Sequence, residues 1–399
     1  MSVRPQLRVL DFTRVLAGPV CTMLLGDYGA DVIKVERPVR GDDTRHWGPP
    51  WAGSGAARLS AYFFCVNRNK RSLTLDLQQS EGRALARRLA LQSDVLIENF
   101  RVGQMAGWGL DYESLARDHQ GLVFCSISGY GQKGPRAHEP GYDSVIQAQS
   151  GLMAITGEAD GEPVKIGVAL SDVITGLYAT TAIQAALLQR ERSGRGQYVD
   201  VALFDSQLAA LVNIASNALI DDSEPGRYGN AHPSIVPYQT FAAADRAFSL
   251  AVGNDRQFAR LCAFIGRKEL ATDPRFADNP SRVKNREALI PQLATAFGSQ
   301  PAQHWIDAAL AAGIPAGPIN TVGEALADPQ VAARGLVQEV TLSDGSTAPL
   351  VGPVAQLSAE PSAIRHAPPT LGQHTEEVLR ERLRMDDGAI GALRRRGIV

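Results

Sequence analysis

Along the first half of this chain, short β-branched and aliphatic runs alternate with stretches of helical spacing. Apolar runs at 7–12, 31–35, 73–77, 95–98, 122–127 and 199–203 have the length of buried strands, and helical patterns fill 19–28, 80–91, 112–118 and 172–192. Strands that are apolar throughout, with helices between them, indicate a mainly parallel sheet covered on both faces. The pattern therefore predicts a doubly wound, Rossmann-like α/β domain. Gly194 stands where a left-handed residue would end the helix at 172–192. After about Leu219 the pattern gives way to the polar, turn-rich 221–229, then helices over 255–265 and around 304–312, strands at 339–342 and 348–351, and a charged helix at 376–383. These features predict a large domain over 1–220, a smaller α+β domain over 221–325 and a loop-rich remainder over 326–399.

Composition narrows the function classes. The 399 residues are 44% hydrophobic and 21% charged, which is ordinary globular usage, and a net charge of -2 leaves no overall footprint for nucleic acid. Cys21, Cys65, Cys125 and Cys262 lie far apart without a CxxC pair or zinc-like spacing, so buried reduced thiols, a cytoplasmic location and no metal site are expected. Residues 1–6 lead straight into a strand pattern, leaving no room for a leader peptide. The apolar helical stretch at 208–220 contains polar residues and is shorter than a membrane span requires.

Two motifs invite chemistry. Gly129-Tyr130-Gly131-Gln132-Lys133-Gly134 has the G-x-G-x-x-G spacing of a dinucleotide loop. A pyrophosphate needs a helix N-terminus within that loop, and Pro135 and Pro140 deny one, so a glycine-rich loop or lid beside a site is the better expectation. Asp172 stands where the apolar 164–170 gives way to a helix. As an N-cap it would satisfy a free backbone N–H, worth about 1 kcal/mol. The same place suits a nucleophile, because a helix N-terminus favours the carboxylate and its N–H groups stabilise an oxyanion. Position alone does not separate the two.

Several ordered blocks carry a resemblance. Leu10-Asp11-Phe12-Thr13-Arg14-Val15-Leu16-Ala17-Gly18-Pro19, Gly29-Ala30-Asp31-Val32-Ile33-Lys34-Val35-Glu36, Asn67-Arg68-Asn69-Lys70-Arg71-Ser72, Glu98-Asn99-Phe100-Arg101 and Leu371-Gly372-Gln373-His374-Thr375 together resemble the class III CoA-transferases, the formyl-CoA and carnitine-CoA transferase superfamily. The resemblance covers essentially the whole chain. It implies a large domain made from both chain ends, with 326–399 returning to it, and an interlocked-ring homodimer. It also implies a nucleophilic Asp172, no permanently bound cofactor, and coenzyme A as co-substrate lying against Val15, Leu16, Ala17, Arg37, Leu75 to Gln78, Asn99, Phe100 and Arg101, with Tyr142 beside the site. No membrane partner is implied.

The chemistry that follows is transfer of CoA from an acyl-CoA to a carboxylic acid through an aspartyl anhydride and an aspartyl-CoA thioester. Racemases of the same superfamily pair an aspartate with histidine in a His-Asp dipeptide. Here that dipeptide is Tyr142-Asp143, which removes one proton carrier and makes racemisation the lesser alternative, along with a non-catalytic CoA-binding homologue. Gly41-Asp42-Asp43-Thr44-Arg45, Trp47-Gly48-Pro49-Pro50 and Ala231-His232-Pro233-Ser234 are most similar to the branch acting on succinate, hydroxymethylglutarate and itaconate. That implies succinyl-CoA as donor and a C4–C5 diacid, such as glutarate or itaconate, as acceptor. Arg45 and His232 are the candidates for holding its distal carboxylate.

Overall fold

A computed structural model describes residues 6–222 and 224–399. Apart from Gln6, the leader-free start expected for 1–6 lies outside the described residues. Six strands form one sheet: β1 (Arg8–Asp11), β2 (Asp31–Glu36), β3 (Lys70–Thr74), β4 (Val95–Glu98), β5 (Val123–Ser128) and β6 (Tyr198–Ala202). Their order is β3-β2-β1-β4-β5-β6, and every neighbouring pair is parallel. Apart from the edge strand β6, whose residues before Ala202 are exposed or partly so, the strands are buried along nearly their whole length, and successive side chains enter opposite faces of the sheet. Leu10, Ile33, Leu96 and Phe124 face a core completed by Leu85, Leu89, Val378, Leu379 and Leu393. Val9, Val32, Val95 and Val123 face another, completed by Cys21, Leu25, Ala179 and Ile183.

Helix α1 (Ala17–Asp27) follows β1, α2 (Ser80–Ala90) follows β3, and α3 (Asp143–Gln149) and α4 (Leu170–Ser193) stand between β5 and β6. Gly194 ends α4 with a φ of 70°, the left-handed cap expected of it. One strand is displaced from the hydropathy reading: the pattern at 73–77 marks a strand that actually runs over Lys70–Thr74. Its start is hidden by two cations that pair inside the fold, Lys70 with Asp11 at 3.4 Å and Arg71 with Asp31 at 2.7 Å.

The chain separates into two compact units. One contains the chain up to Leu152, Lys165–Asp222 and Gln330–Val399; the other contains Met153–Val164 and the described residues from 224 to Pro329. Within the second unit, Tyr238–Ala242, Ala247–Ala251 and Ala316–Pro318 form an antiparallel sheet over a core of Phe241, Phe248, Phe258, Phe297 and Trp305.

Three of the four cysteines are buried, as expected, but Cys65 is exposed, which corrects that expectation. It follows the four-residue helix Ala61–Phe64, which buries Phe63 and Phe64 and leaves the next position at the surface. Among the described residues no single helix is long and apolar enough to cross a membrane; Leu203–Ala209 and Val212–Asp221 together pass such a test but are bent by 77°.

Candidate active site

The strand order reverses direction between β1 and β4, and in open parallel sheets ligands bind beyond the carboxyl ends of the strands at such a switch point. The loops leaving those strands are joined there. Asn99 Nδ2 donates to the Arg14 carbonyl at 2.8 Å, and the Arg14 N–H donates back to Asn99 Oδ1 at 2.9 Å. Next to this clamp Val15 has a φ of 71°, a left-handed conformation that a β-branched residue adopts only under constraint. Asp42 supplies the constraint, because both of its carboxylate oxygens lie 3.3 Å from the Val15 N–H.

Two residues further on, the Ala17 N–H donates to Asp172 Oδ1 at 3.2 Å. Sequence places these residues on different helices, and packing of α1 against α4 brings them together. Gly176, one helical turn beyond Asp172, makes the approach possible: a Cβ there would stand 2.7 Å from the Ala17 carbonyl oxygen and 2.8 Å from Val20 Cγ1. Residues four apart share a helix face, so the glycine that lets α4 close on α1 also aims Asp172 at the α1 N-terminus.

Asp172 is not the N-cap of its helix, which corrects that alternative. The cap position is Ala169, and Asp172 lies within the first turn. The side chain that serves the helix start is Asp143, whose Oδ1 accepts the Ser171 N–H at 2.9 Å. Gln147 holds the other oxygen of Asp143 at 2.8 Å. Asp172 is thus free of a capping duty, and no cation pairs with it among the described residues. Burial of its carboxyl and the neighbouring Asp143 charge push its pKa up to about 7, against the pull of the Ala17 N–H.

A cleft of about 500 Å³ reaches the start of this turn through Arg14 and Asp42; Phe12, Arg37, Leu75, Gln78, Phe100 and Trp108 also line it, and Asp172 does not. Six residues expected to meet CoA therefore share one cavity: Arg37, Leu75, Asp76, Leu77, Gln78 and Phe100. Asn99 acts through the clamp on Arg14, Val15 and Leu16 lead into α1, and Arg101 is exposed. Tyr142 is exposed at the N-cap of α3, immediately before Asp143. The motif reading gave no role to Arg14 or Asp143, although both stand in motifs it quoted, and did not single out Tyr62. Tyr62 packs against the cluster of Leu16, Val20, Met23 and Val66, as Val15 and Ala169 do, and has its hydroxyl pKa raised to about 12 by burial and by the Asp172 charge. Tyr62 has no motif or spacing signal, and for all three only their neighbours across the fold reveal what they do.

Arg45 does not serve the diacid. Its guanidinium is buried and grips Glu36 through two hydrogen bonds of 2.7 Å, donates a third to the Pro369 carbonyl at 3.0 Å, and lies 3.7 Å from the Phe63 ring centroid. With these contacts it is a structural tie between β2 and the returning C-terminal segment. His232 belongs to the second unit, where its Nδ1 accepts the Ser234 N–H at 3.0 Å and its ring lies 5.4 Å from Tyr238. No helix begins in the glycine loop 129–134, and the next helix is α3. Hydrogen bonds from Gly131 N–H to Ser128 Oγ and from Gln132 N–H to Asp200 Oδ2 tie the loop to the end of β5 and the middle of β6. Among the described residues no group of three or more His, Cys, Asp or Glu side chains could hold a metal ion.

A parallel α/β sheet with an acidic side chain and a large cleft beside its switch point fits an enzyme that handles a nucleotide-bearing substrate. Residues 5–375 match the model of CoA-transferase family III, and the chain belongs to that family of CoA-transferases. It is 44% identical over 393 residues to the succinyl-CoA:glutarate CoA-transferase of Mus musculus, covering 98% of this chain and 89% of that protein. It is 47% identical over 377 residues to the succinate–glutarate CoA-transferase of Agrobacterium fabrum, covering 94% of each. A crystal structure of a CAIB/BAIF family protein from Brucella suis superposes with a TM-score of 0.83 at 45% identity, over 94% of this chain and 98% of that one.

Proposed function

We propose that this CoA-transferase moves CoA from succinyl-CoA to glutarate, with Asp172 as the covalent carrier. The acids follow from the likeness to the mouse and Agrobacterium proteins. The observation that carries the Asp172 assignment is its setting: a carboxyl held by the Ala17 N–H, unpaired with any cation among the described residues and with its pKa raised to about 7. A carboxylate with so raised a pKa is a stronger nucleophile once ionised than one held in a salt bridge.

The sequence of bonds is as follows. The Asp172 carboxylate attacks the succinyl thioester carbonyl, expelling the CoA thiolate and leaving a succinyl-aspartyl anhydride. The thiolate attacks the aspartyl carbonyl, releasing succinate and leaving an aspartyl-CoA thioester. Glutarate attacks that thioester to form a second anhydride and free the thiolate again. The thiolate then attacks the glutaryl carbonyl, and glutaryl-CoA leaves with the Asp172 carboxylate restored. Each anhydride must be shielded from water, which the burial of the Asp172 carboxyl favours.

Two copies associate in this reading, as the class resemblance implies, in an interlocked-ring homodimer. Helix Val212–Asp221 supports association: none of its residues is buried, and Val212, Leu219 and Ile220 are 66%, 86% and 86% exposed.

Quenching wild-type enzyme and succinyl-CoA with hydroxylamine is expected to leave a hydroxamate on Asp172; a modification at another residue would remove the assignment. A panel of C4–C6 diacids is expected to rank glutarate first by kcat/KM. A clear preference for a different acid would redirect the substrate reading while leaving the nucleophile untouched.

A further inference from the structure

Arg14 has no role in the scheme above, yet it stands in the wall of the cleft. Its backbone is fixed by the Asn99 clamp, and its guanidinium carbon lies 5.4 Å from the centroid of Phe100, whose ring stacks edge-on against Trp108 at 5.1 Å. The side chain is thus supported without being fully used. Its Nε–H is buried and has no hydrogen-bond partner. Its only ion pair among the described residues is a loose one, NH1 to Asp43 Oδ2 at 3.6 Å, and Asp43 is simultaneously held by Arg37 at 2.5 Å. Two guanidiniums therefore share one carboxylate.

The other acids on this wall are engaged elsewhere. Asp42 pairs with Lys34, Glu36 with Arg45, and Asp76 accepts from the Gln78 N–H and the Gln79 amide. An unmet buried donor costs about 1–3 kcal/mol unless a ligand completes it. A phosphate, with several strong acceptor oxygens, matches two guanidinium groups better than one shared carboxylate does.

We propose that Arg14 binds a phosphate of the CoA nucleotide, with Asp43 as the resident counter-ion that phosphate displaces. This rests on the reading of the cleft as the CoA site. Arg14→Ala is expected to raise the KM for succinyl-CoA at least about tenfold, leaving kcat at saturating donor within about threefold and the KM for glutarate unchanged. Succinyl-pantetheine, which carries no phosphate, is expected to react equally with wild type and variant. Arg14→Lys recovers part of the loss, and Asp43→Asn, by freeing both arginines, lowers the KM for succinyl-CoA. A raised KM for glutarate would make Arg14 an acceptor-binding residue instead, and an equal loss with succinyl-pantetheine, or a fall in kcat together with Tm, would make it structural; either overturns the proposal. Calorimetry with free CoA separates the two readings: CoA binding that Arg14→Ala leaves unchanged sinks this proposal alone, whereas no binding to wild type sinks the cleft reading with it.

Discussion

Asp42 and Asp172 bracket the same short turn, one accepting the Val15 N–H and the other the Ala17 N–H, yet their surroundings drive them in opposite directions. Asp42 is buried, which opposes its charge, but Lys34 at 2.9 Å and the Thr44 N–H and hydroxyl outweigh that and hold its pKa down to about 2. Asp172 has burial and the Asp143 charge on one side and a single N–H on the other, and its pKa rises to about 7. The ionised Asp42 is a fixed anchor. Asp172 is a group whose charge is costly at rest, the condition for giving that charge away in a bond. Neighbouring charge, more than residue type or depth, sets the two aspartates apart.

The comparison breaks most visibly in turnover. Asp172→Asn keeps an oxygen to accept the Ala17 N–H, so the variant is expected to fold and to lose transfer by at least about a thousandfold in steady-state assays. Turnover near wild type would mean that Asp172 is as structural as Asp42.

Asp42→Asn should do the converse. It leaves the buried Lys34 ammonium without its partner, a loss of about 3–5 kcal/mol in denaturant unfolding. The sign follows from linkage: the folded pKa of Asp42 lies below its ordinary 3.8, so its stabilisation is complete above about pH 4 and is lost as pH falls towards 2. Wild type and variant are therefore expected to converge in stability only in strong acid.

Asp172 carries the opposite sign. Its folded pKa lies above its ordinary 3.8, so ionisation destabilises the fold progressively from about pH 4 and fully above about pH 7. Asp172→Asn is expected to be more stable than wild type at pH 8, by on the order of 2–4 kcal/mol, and equal to it near pH 4. A Tm difference that does not vary with pH would contradict the raised pKa.

The smallest effect is on the rate profile of wild type. With succinyl-CoA below KM, kcat/KM should fall about tenfold per pH unit below about pH 7, as the carboxylate is protonated. A profile flat down to pH 5 would place the carboxylate with ordinary acids.

Sequence by itself determined the alternation of buried strands and helices, hence the parallel sheet, because a strand covered on both faces must be apolar throughout and that requirement is local. It also determined that the glycine loop 129–134 opens no helix, since Pro135 and Pro140 act on their own backbone. The ordered motif blocks located the family. Only the tertiary structure decided what the charged residues in those blocks do. Asn67-Arg68-Asn69-Lys70-Arg71-Ser72 is polar throughout, yet inside the fold Arg68 pairs with Asp27, Lys70 with Asp11, and Ser72 bonds to Glu36 and the Gly372 N–H some 300 residues away. Arg45, the candidate for the diacid, became a structural tie for the same reason, and Asp172 lost its capping role to Asp143 on another helix. A charge's role is set by the partner it finds across the fold, and such partners leave no periodic trace in the chain.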